Sequence, residues 1–348
     1  MENKNHVWYL HEVVQETRGT ITIRFNTGAK PFQYLAGQFV NVTLIIDGEA
    51  ITRSYSLSSS PNEQHPSITV KRVPEGVMSN YLLDHAHDIL EWEIEGPYGN
   101  FILNEPIEQN KSFFFMGGGS GITPLFSIMK TLKEKAYAPF HLIYANRNEH
   151  DVIFKDAIGK LVEEGKAKVF HALTGDISSD AYGEELYKGR LNKLIVKKLI
   201  KQRFEEPGNV LYYICGPEKL MEVYKEALIS LAVPEEQIFM ENFSLEDKST
   251  NEALLPHESH EILMHVYEST SLIDVKAGQS ILEAALENGL SVNYSCKNGT
   301  CGSCWGRYSE GELTMIKNHA LTKEEVESNY ILLCQTYPMD DQVTVHVG

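Results

Sequence analysis

The sequence predicts three folded units of different class. An antiparallel β-barrel spans residues 1–108 and an α/β unit built on a parallel sheet spans 109–245. A linker over 246–258 leads to a small α+β unit over 259–348. Three observations carry this division. Residues 6–108 hold many short runs of period-2 alternation, such as Thr20-Ile21-Thr22-Ile23-Arg24-Phe25, separated by Gly and Pro turns. From residue 111 the strands become continuously apolar, beginning with Phe113-Phe114-Phe115-Met116, and alternate with helical stretches. Beyond a polar, aperiodic stretch lies a cluster of cysteines at Cys296, Cys301 and Cys304, with Cys334 further on.

In the first unit, strands are expected over 7–14, 20–25, 37–45, 51–57, 67–73 and 90–94. Turns fall at Asp47-Gly48, Gly96-Pro97 and Tyr98-Gly99-Asn100. One helix is expected after Ser79, with Leu82, Leu83 and Ala86 on a common face. In the second unit, buried strands are expected over 111–116, 140–144, 167–173 and 210–215. In the third, a hairpin over 262–267 and 271–275 precedes a helix over 280–288 that Gly289 ends. The cysteine loop follows, and then final strands over 331–334 and 342–347.

The cysteines read C-x4-C-x2-C with a distant fourth, the plant-type spacing for a [2Fe–2S] cluster. Three thiolates from one short loop must converge on two irons, so the loop has to curl. Gly299 and Gly302 permit positive φ, which turns backbone N–H groups toward the sulfurs. Zinc is the alternative, but zinc ribbons carry two similar x2-spaced knuckles and only one is present. Five cysteines in 348 residues do not make a disulfide framework, and they fit a reducing cytoplasm.

Two further motifs end apolar strands. Gly117-Gly118-Gly119-Ser120-Gly121-Ile122-Thr123-Pro124 opens a helix whose N–H groups and dipole suit a pyrophosphate. It is not G-x-G-x-x-G, and a plain strand-to-helix turn is the alternative. Cys215-Gly216-Pro217 ends another such strand. Ligands of open parallel sheets sit at carboxyl ends, so both motifs are placed to share one dinucleotide. Cys215 then faces the nicotinamide, unless it is simply a small buried residue. In the barrel, Arg53-Ser54-Tyr55-Ser56 combines a cation, an aromatic ring and two hydroxyls. Arg53 and Tyr55 share one face and Ser54 and Ser56 the other. Gly76 and Ser79 precede the helix and offer a second anion-binding N-terminus.

Arg53-Ser54-Tyr55-Ser56, Gly96-Pro97-Tyr98-Gly99-Asn100-Phe101, the 117–124 loop and Cys215-Gly216-Pro217 resemble, in order, the ferredoxin–NADP reductase superfamily. The C-terminal part resembles a plant-type ferredoxin with a β-grasp fold. Together they resemble most the reductase subunits of ring-1,2-phenylacetyl-CoA epoxidases, with domain order FAD, NADP, [2Fe–2S]. The resemblance implies an NAD(P)H-dependent oxidoreductase that passes electrons from NADPH through FAD and [2Fe–2S] to a partner oxygenase. It implies that Arg53 binds the FAD pyrophosphate, Ser54 belongs to the same flavin strand, and Tyr55 lies against the isoalloxazine. Ser56 reaches flavin N5, and Gly76, Val77 and Ser79 complete the phosphate site. Gly119, Gly121 and Thr123 meet the nicotinamide cofactor together with Cys215, Gly216 and Pro217. Ser56 and Cys215 are the catalytic pair, Phe243 shields the flavin, and Cys296, Cys301, Cys304 and Cys334 hold the cluster. Alternatives are the reductase of another mono- or dioxygenase or desaturase using NADH, and a stand-alone redox carrier.

An acidic residue after the second strand of such a sheet favours NAD, and an Arg nearby accommodates the 2′-phosphate of NADP. Arg147 occupies that position, with Arg190 in support, so NADPH is expected. Glu149 and Asp151 lie close by, and a solvated loop residue is the alternative for Arg147. The net charge of −17 argues against nucleic acid. The three thirds, divided at 108/109 and 258/259, carry −7, −3 and −7, so the middle is the least acidic. No apolar run is long enough to span a membrane, and the N-terminus lacks the apolar core of a signal peptide.

Overall fold

The structure is a computed structural model that describes residues 5–28, 32–103, 111–135, 139–175, 185–204, 209–243, 255–294, 297, 299, 302–318 and 320–348. The first unit is a six-stranded antiparallel barrel. Its strands are β1 (Asn5–Thr17), β2 (Thr20–Asn26), β3 (Phe39–Ile46), β4 (Glu49–Ser56), β5 (Ser67–Lys71) and β6 (Glu91–Tyr98), in the order β4-β3-β6-β1-β2-β5. A bridge between Leu57 and Ile68 brings the two ends of the sheet together, so little edge is left unpaired. The alternating apolar residues expected from the sequence fill the interior, with Trp8, Ile23, Phe25, Val40, Val42, Ile68 and Trp92 at 1% exposure or less. Helix α1 (Val77–His85) packs on β4 and β5. It starts three residues earlier than the sequence suggested. Gly76 is its N-cap and Ser79 lies in the first turn, where the Ser79 hydroxyl donates to Gly76 O and accepts from Val73 N–H.

The second unit is an all-parallel sheet. Its strands are β7 (Ser112–Gly118), β8 (Phe140–Asn146), β9 (Ala167–Leu173), β10 (Leu186–Lys188), β11 (Val210–Cys215) and β12 (Ile238–Glu241), ordered β10-β9-β8-β7-β11-β12. Helices α2 (Ile122–Glu134), α3 (Lys155–Glu163), α4 (Lys193–Arg203) and α5 (Glu218–Ile229) cover its faces. The short strands β10 and β12 escaped the sequence reading. The chain order reverses between β7 and β11, which makes that crevice the topological switch point. One core joins α2 and the sheet to Ala36, Phe101 and Leu103 of the barrel segment. Polar contacts reinforce this seam. Lys130 pairs with Glu63 at 2.5 Å, Ser127 Oγ donates to Ser59 O, and Ser60 and Asn62 both donate to Glu134.

The third unit is α+β. Strands β13 (His260–Val266), β14 (Ser269–Val275), β15 (Trp305–Glu310), β17 (Tyr330–Leu332) and β19 (Thr344–Val347) form one sheet, ordered β14-β13-β19-β15-β17. Strands β16 (Leu313–Met315) and β18 (Thr336–Pro338) form a small second sheet. Helix α6 (Ile281–Glu287) crosses the main sheet and starts at a Ser280–Glu283 capping box, and α7 (Lys323–Glu327) starts at a Thr322–Glu325 box. Residues 331–334, expected as one strand, split into β17 and a 3₁₀ turn that holds Cys334. Most of the linker expected over 246–258 lies outside the described residues. Among the described residues no helix is long and apolar enough to cross a membrane.

Candidate active site

Strand β4 carries the barrel's polar motif. Cross-strand register sets Arg53 opposite Val42, Ser54 opposite Asn41, Tyr55 opposite Val40 and Ser56 opposite Phe39. Arg53 is exposed, its guanidinium donating to the neighbouring Thr52 carbonyl, so it is open to an anion. Tyr55 packs against the barrel core, and burial raises its phenol well above its ordinary pKa, so the ring is a neutral plate. The α1 N-terminus has no side-chain cap, which leaves its first amides available. A Cβ on Gly76 would lie 2.7 Å from Ser79 Oγ. Arg53, the uncapped amides and a neutral ring fit a flavin nucleotide with a pyrophosphate.

At the switch point the 117–124 loop and the β11 end sit side by side, with Cys215 registered on Gly117. The close approach needs glycine. A Cβ at Gly121 would lie 2.3 Å from Cys215 O, and one at Gly118 would lie 2.7 Å from Leu220 and 2.8 Å from Pro217. Gly119 adopts φ 53°. Tyr144 Oη donates to Gly119 O, and Thr123 Oγ1 donates to Ser120 O, which ties the loop to α2. Pro217 is the N-cap of α5. Lys71, at the end of β5, reaches this loop, its Nζ 3.6 Å from the position of a Gly119 Cβ. Bare backbone, two helix N-termini and a lysine fit a dinucleotide's phosphates. Arg147 follows β8 and Arg190 follows β10, both exposed. The Arg147 carbonyl accepts from Gly175 N–H, leaving its side chain at the surface.

Three residues of the barrel and the sheet come together beside the switch point. Parallel pairing of β11 with β12 sets Glu241 beside Cys215. Ser56 Oγ donates to Glu241 Oε2 at 3.4 Å. Burial pushes the Glu241 carboxyl up to about 8, with the Ser56 hydroxyl pulling the other way, so it holds a proton at neutral pH. Burial, and then the nearby Glu241, push the Cys215 thiol well up, so it too is protonated. Cys215 is fully buried, so its packing follows the alternative of a small core residue rather than an open thiol. Phe243 lies two residues beyond Glu241 and is 44% exposed. The sequence reading missed Glu241. Its signal is a lone acid ending the otherwise apolar Ile238-Phe239-Met240, and only the register with β11 gives it a meaning.

In the third unit, Cys304 and Cys334 are 2% and 5% exposed and join one core. Strand pairing brings them together, since Trp305 is registered on Leu332 and Leu333 N–H donates to Cys304 O at 2.8 Å. Gly299 and Gly302 take φ 70° and 74°. A Cβ on Gly299 would lie 2.9 Å from Lys317 O, so the loop cannot swell there. Gln335 Nε2 donates to Lys297 O and clasps the loop from the Cys334 side. Cys296 and Cys301 lie outside the described residues, and among the described residues no three metal-ligating side chains converge. Two buried thiols beside a glycine-kinked loop fit an iron–sulfur cluster better than an exposed zinc knuckle. The same loop touches the barrel. Ser303 accepts from Asn41 Nδ2 at 2.7 Å, and Gly302 lies against Tyr98.

Three family models match the chain in order. They are an oxidoreductase FAD-binding domain over 8–102, an oxidoreductase NAD-binding domain over 115–226, and a 2Fe-2S iron-sulfur cluster binding domain over 264–339. Among curated proteins, the ferredoxin reductase component of 3-ketosteroid-9-alpha-monooxygenase from Mycobacterium tuberculosis is 30% identical, over 90% of this chain and 85% of that one. The glycine betaine monooxygenase reductase subunit of Pseudomonas aeruginosa is 30% identical, over 98% and 95%. A 1,2-phenylacetyl-CoA epoxidase subunit from Escherichia coli is 27% identical, over 98% and 97%. Among solved structures, phthalate dioxygenase reductase, a modular structure for electron transfer from pyridine nucleotides to [2Fe-2S], matches with a TM-score of 0.60. Its identity is 20%, over 99% of this chain and 98% of that one.

Proposed function

The chain belongs to the family of FAD-, NAD- and [2Fe–2S]-binding reductase components of oxygenases, and within that family we propose that it draws electrons from NADPH for a phenylacetyl-CoA epoxidase-type oxygenase. One observation carries the electron route: Ser56, Glu241 and Cys215 converge where barrel and sheet meet, and the cysteine loop lies on the adjoining strands β3 and β6. Bound FAD supplies the conversion between a two-electron donor and a one-electron cluster.

The chain's own residues do the rest. Arg53 and the α1 amides of Val77 and Ser79, with Gly76 leaving room, hold the FAD pyrophosphate. Tyr55 presents a neutral ring to the isoalloxazine, and Ser54 anchors its strand by donating to Asn41 Oδ1. Ser56 would turn its hydroxyl oxygen to N5 while its proton is held by Glu241 Oε2, and the protonated Glu241 adds no negative charge to the site. Gly119, Gly121, Thr123, Gly216 and Pro217 form the bare cradle for the dinucleotide, and Lys71 adds charge. Cys215, fully buried and protonated, backs this cradle as a small neutral residue. Phe243, half exposed at the end of the sheet, would shield the isoalloxazine. Cys296, Cys301, Cys304 and Cys334 hold the cluster. Arg147, helped by Arg190, reads the 2′-phosphate. Arg147→Ala raises KM for NADPH far more than for NADH; an equal rise for both removes Arg147 from this role.

Coverage of nearly the whole of both chains supports the epoxidase-type client. The 30% identities to two other oxygenase reductases favour a second reading, a client of another class. Turnover of phenylacetyl-CoA by purified epoxidase oxygenase subunits, driven by this protein and NADPH, decides between them. No turnover there, with cytochrome c still reduced, favours the second.

A further inference from the structure

Asn41 is fully buried on β3, and both ends of its amide are engaged. Its Oδ1 accepts from Ser54 on β4, next to Arg53 and Tyr55. Its Nδ2 donates to Ser303 Oγ at 2.7 Å, 262 positions away in the chain, and more weakly to Glu95 Oε2 at 3.4 Å. Ser303 is itself 5% exposed and directly precedes Cys304. One amide therefore ties the strand of the proposed flavin site to the loop of the proposed cluster. Beside it Gly302 adds an apolar contact, its missing Cβ placed 3.5 Å from the Tyr98 ring, which packs on Phe39.

We propose that Asn41 is a positioning residue: its hydrogen bond to Ser303 docks the ferredoxin unit on the barrel and sets how often the cluster sits close enough to the flavin to be loaded. This rests on the electron route proposed above. The bond suits a reversible latch. A neutral intramolecular hydrogen bond adds only modest net stability, because water replaces it on opening. The barrel and sheet, by contrast, share a continuous core and several buried polar contacts. The geometry thus separates a fixed pair of units, which handles the nicotinamide and flavin, from a third unit held by a latch that can release.

Holoenzyme carrying Ser303→Ala, Asn41→Ala or both is compared with wild type. Two quantities are read: hydrogen exchange of the amides at 302–306, and the ratio of NADPH–cytochrome c turnover to NADPH–ferricyanide turnover. Each single variant is expected to raise exchange and lower the ratio by about five- to tenfold, with ferricyanide turnover and bound flavin and iron unchanged in Ser303→Ala, which leaves the bond between Asn41 and Ser54 intact. The double variant lowers the ratio no further than Asn41→Ala alone, because the bond that Ser303→Ala removes is already gone, while Asn41→Ala also gives up its bonds to Ser54 and Glu95. Ser303→Thr, which keeps the hydroxyl, restores the ratio. Wild-type exchange and ratio in Ser303→Ala overturn the proposal even if Asn41→Ala fails to fold. A lowered ratio in Ser303→Ala with a wild-type ratio in folded Asn41→Ala also overturns it, since Ser303 then acts on the cluster and not through docking. Protein that binds no flavin or iron defeats the electron route instead, which is a separate outcome.

Discussion

Glu241 and the core histidines give the residue scale its pH signature. Glu241 titrates near 8 in the fold and near 4.5 unfolded, so the native state keeps a proton that the unfolded chain loses between those values. Its contribution therefore falls as pH rises from about 4.5 to 8. His141 and His171 act at the other limb. Burial lowers both to about 4 from 6.5. The unfolded chain takes up their protons first, so stability falls as pH drops from 6.5 toward 4. His141 Nδ1 has no hydrogen-bond partner, and its ring packs edge-on to Phe114 and Phe204. Melting temperatures measured from pH 4 to 9 should form a dome. Glu241→Gln is expected to flatten its alkaline side, and His141→Phe to lift its acid side. An alkaline side identical in wild type and Glu241→Gln would show that Glu241 is ionised in the fold. None of the three was legible in the sequence, because an isolated acid or imidazole acquires its pKa from neighbours that only the sheet brings close.

At the scale of elements, the long strands were readable and the short ones were not. Phe113-Phe114-Phe115-Met116 and Thr20-Ile21-Thr22-Ile23-Arg24-Phe25 state their burial through their own periodicity. Leu186–Lys188 and Ile238–Glu241 are three and four residues long and take their strand character from a neighbour's hydrogen bonds. The start of α1 was misplaced because Ser79 resembles an N-cap, whereas its hydroxyl satisfies Val73 and Gly76 from inside the first turn. The 117–124 loop is the element on which the dinucleotide site depends. Gly121→Ala puts a Cβ 2.3 Å from Cys215 O, so β11 and α2 must part. Denaturant unfolding should register a loss of about 1–3 kcal/mol, typical of overpacking, with a raised KM for NADPH. Unchanged stability and KM would mean that the loop and β11 are not in close contact.

For the whole molecule, order along the chain was legible from composition, and contact between units was not. Nothing in the sequence couples Asn41 to Ser303, or Ser56 to Glu241, because each pair joins separate units or distant strands. Charge works at this scale as well. The last third carries −7, and its α7 helix presents Glu324, Glu325 and Glu327 beside β17. An acidic face there suits a basic patch on the oxygenase. Electron delivery to that partner should weaken as salt rises from about 0.05 to 0.5 M, whereas ferricyanide turnover should not; equal salt effects on both would place the acid elsewhere in the mechanism. On the proposed route electrons enter at the flavin and leave through the cysteine loop. Cys304→Ser, assayed with NADPH under nitrogen against ferricyanide and against cytochrome c, tests it most directly. That route predicts wild-type ferricyanide reduction with cytochrome c reduction abolished, and retention of both activities would contradict it.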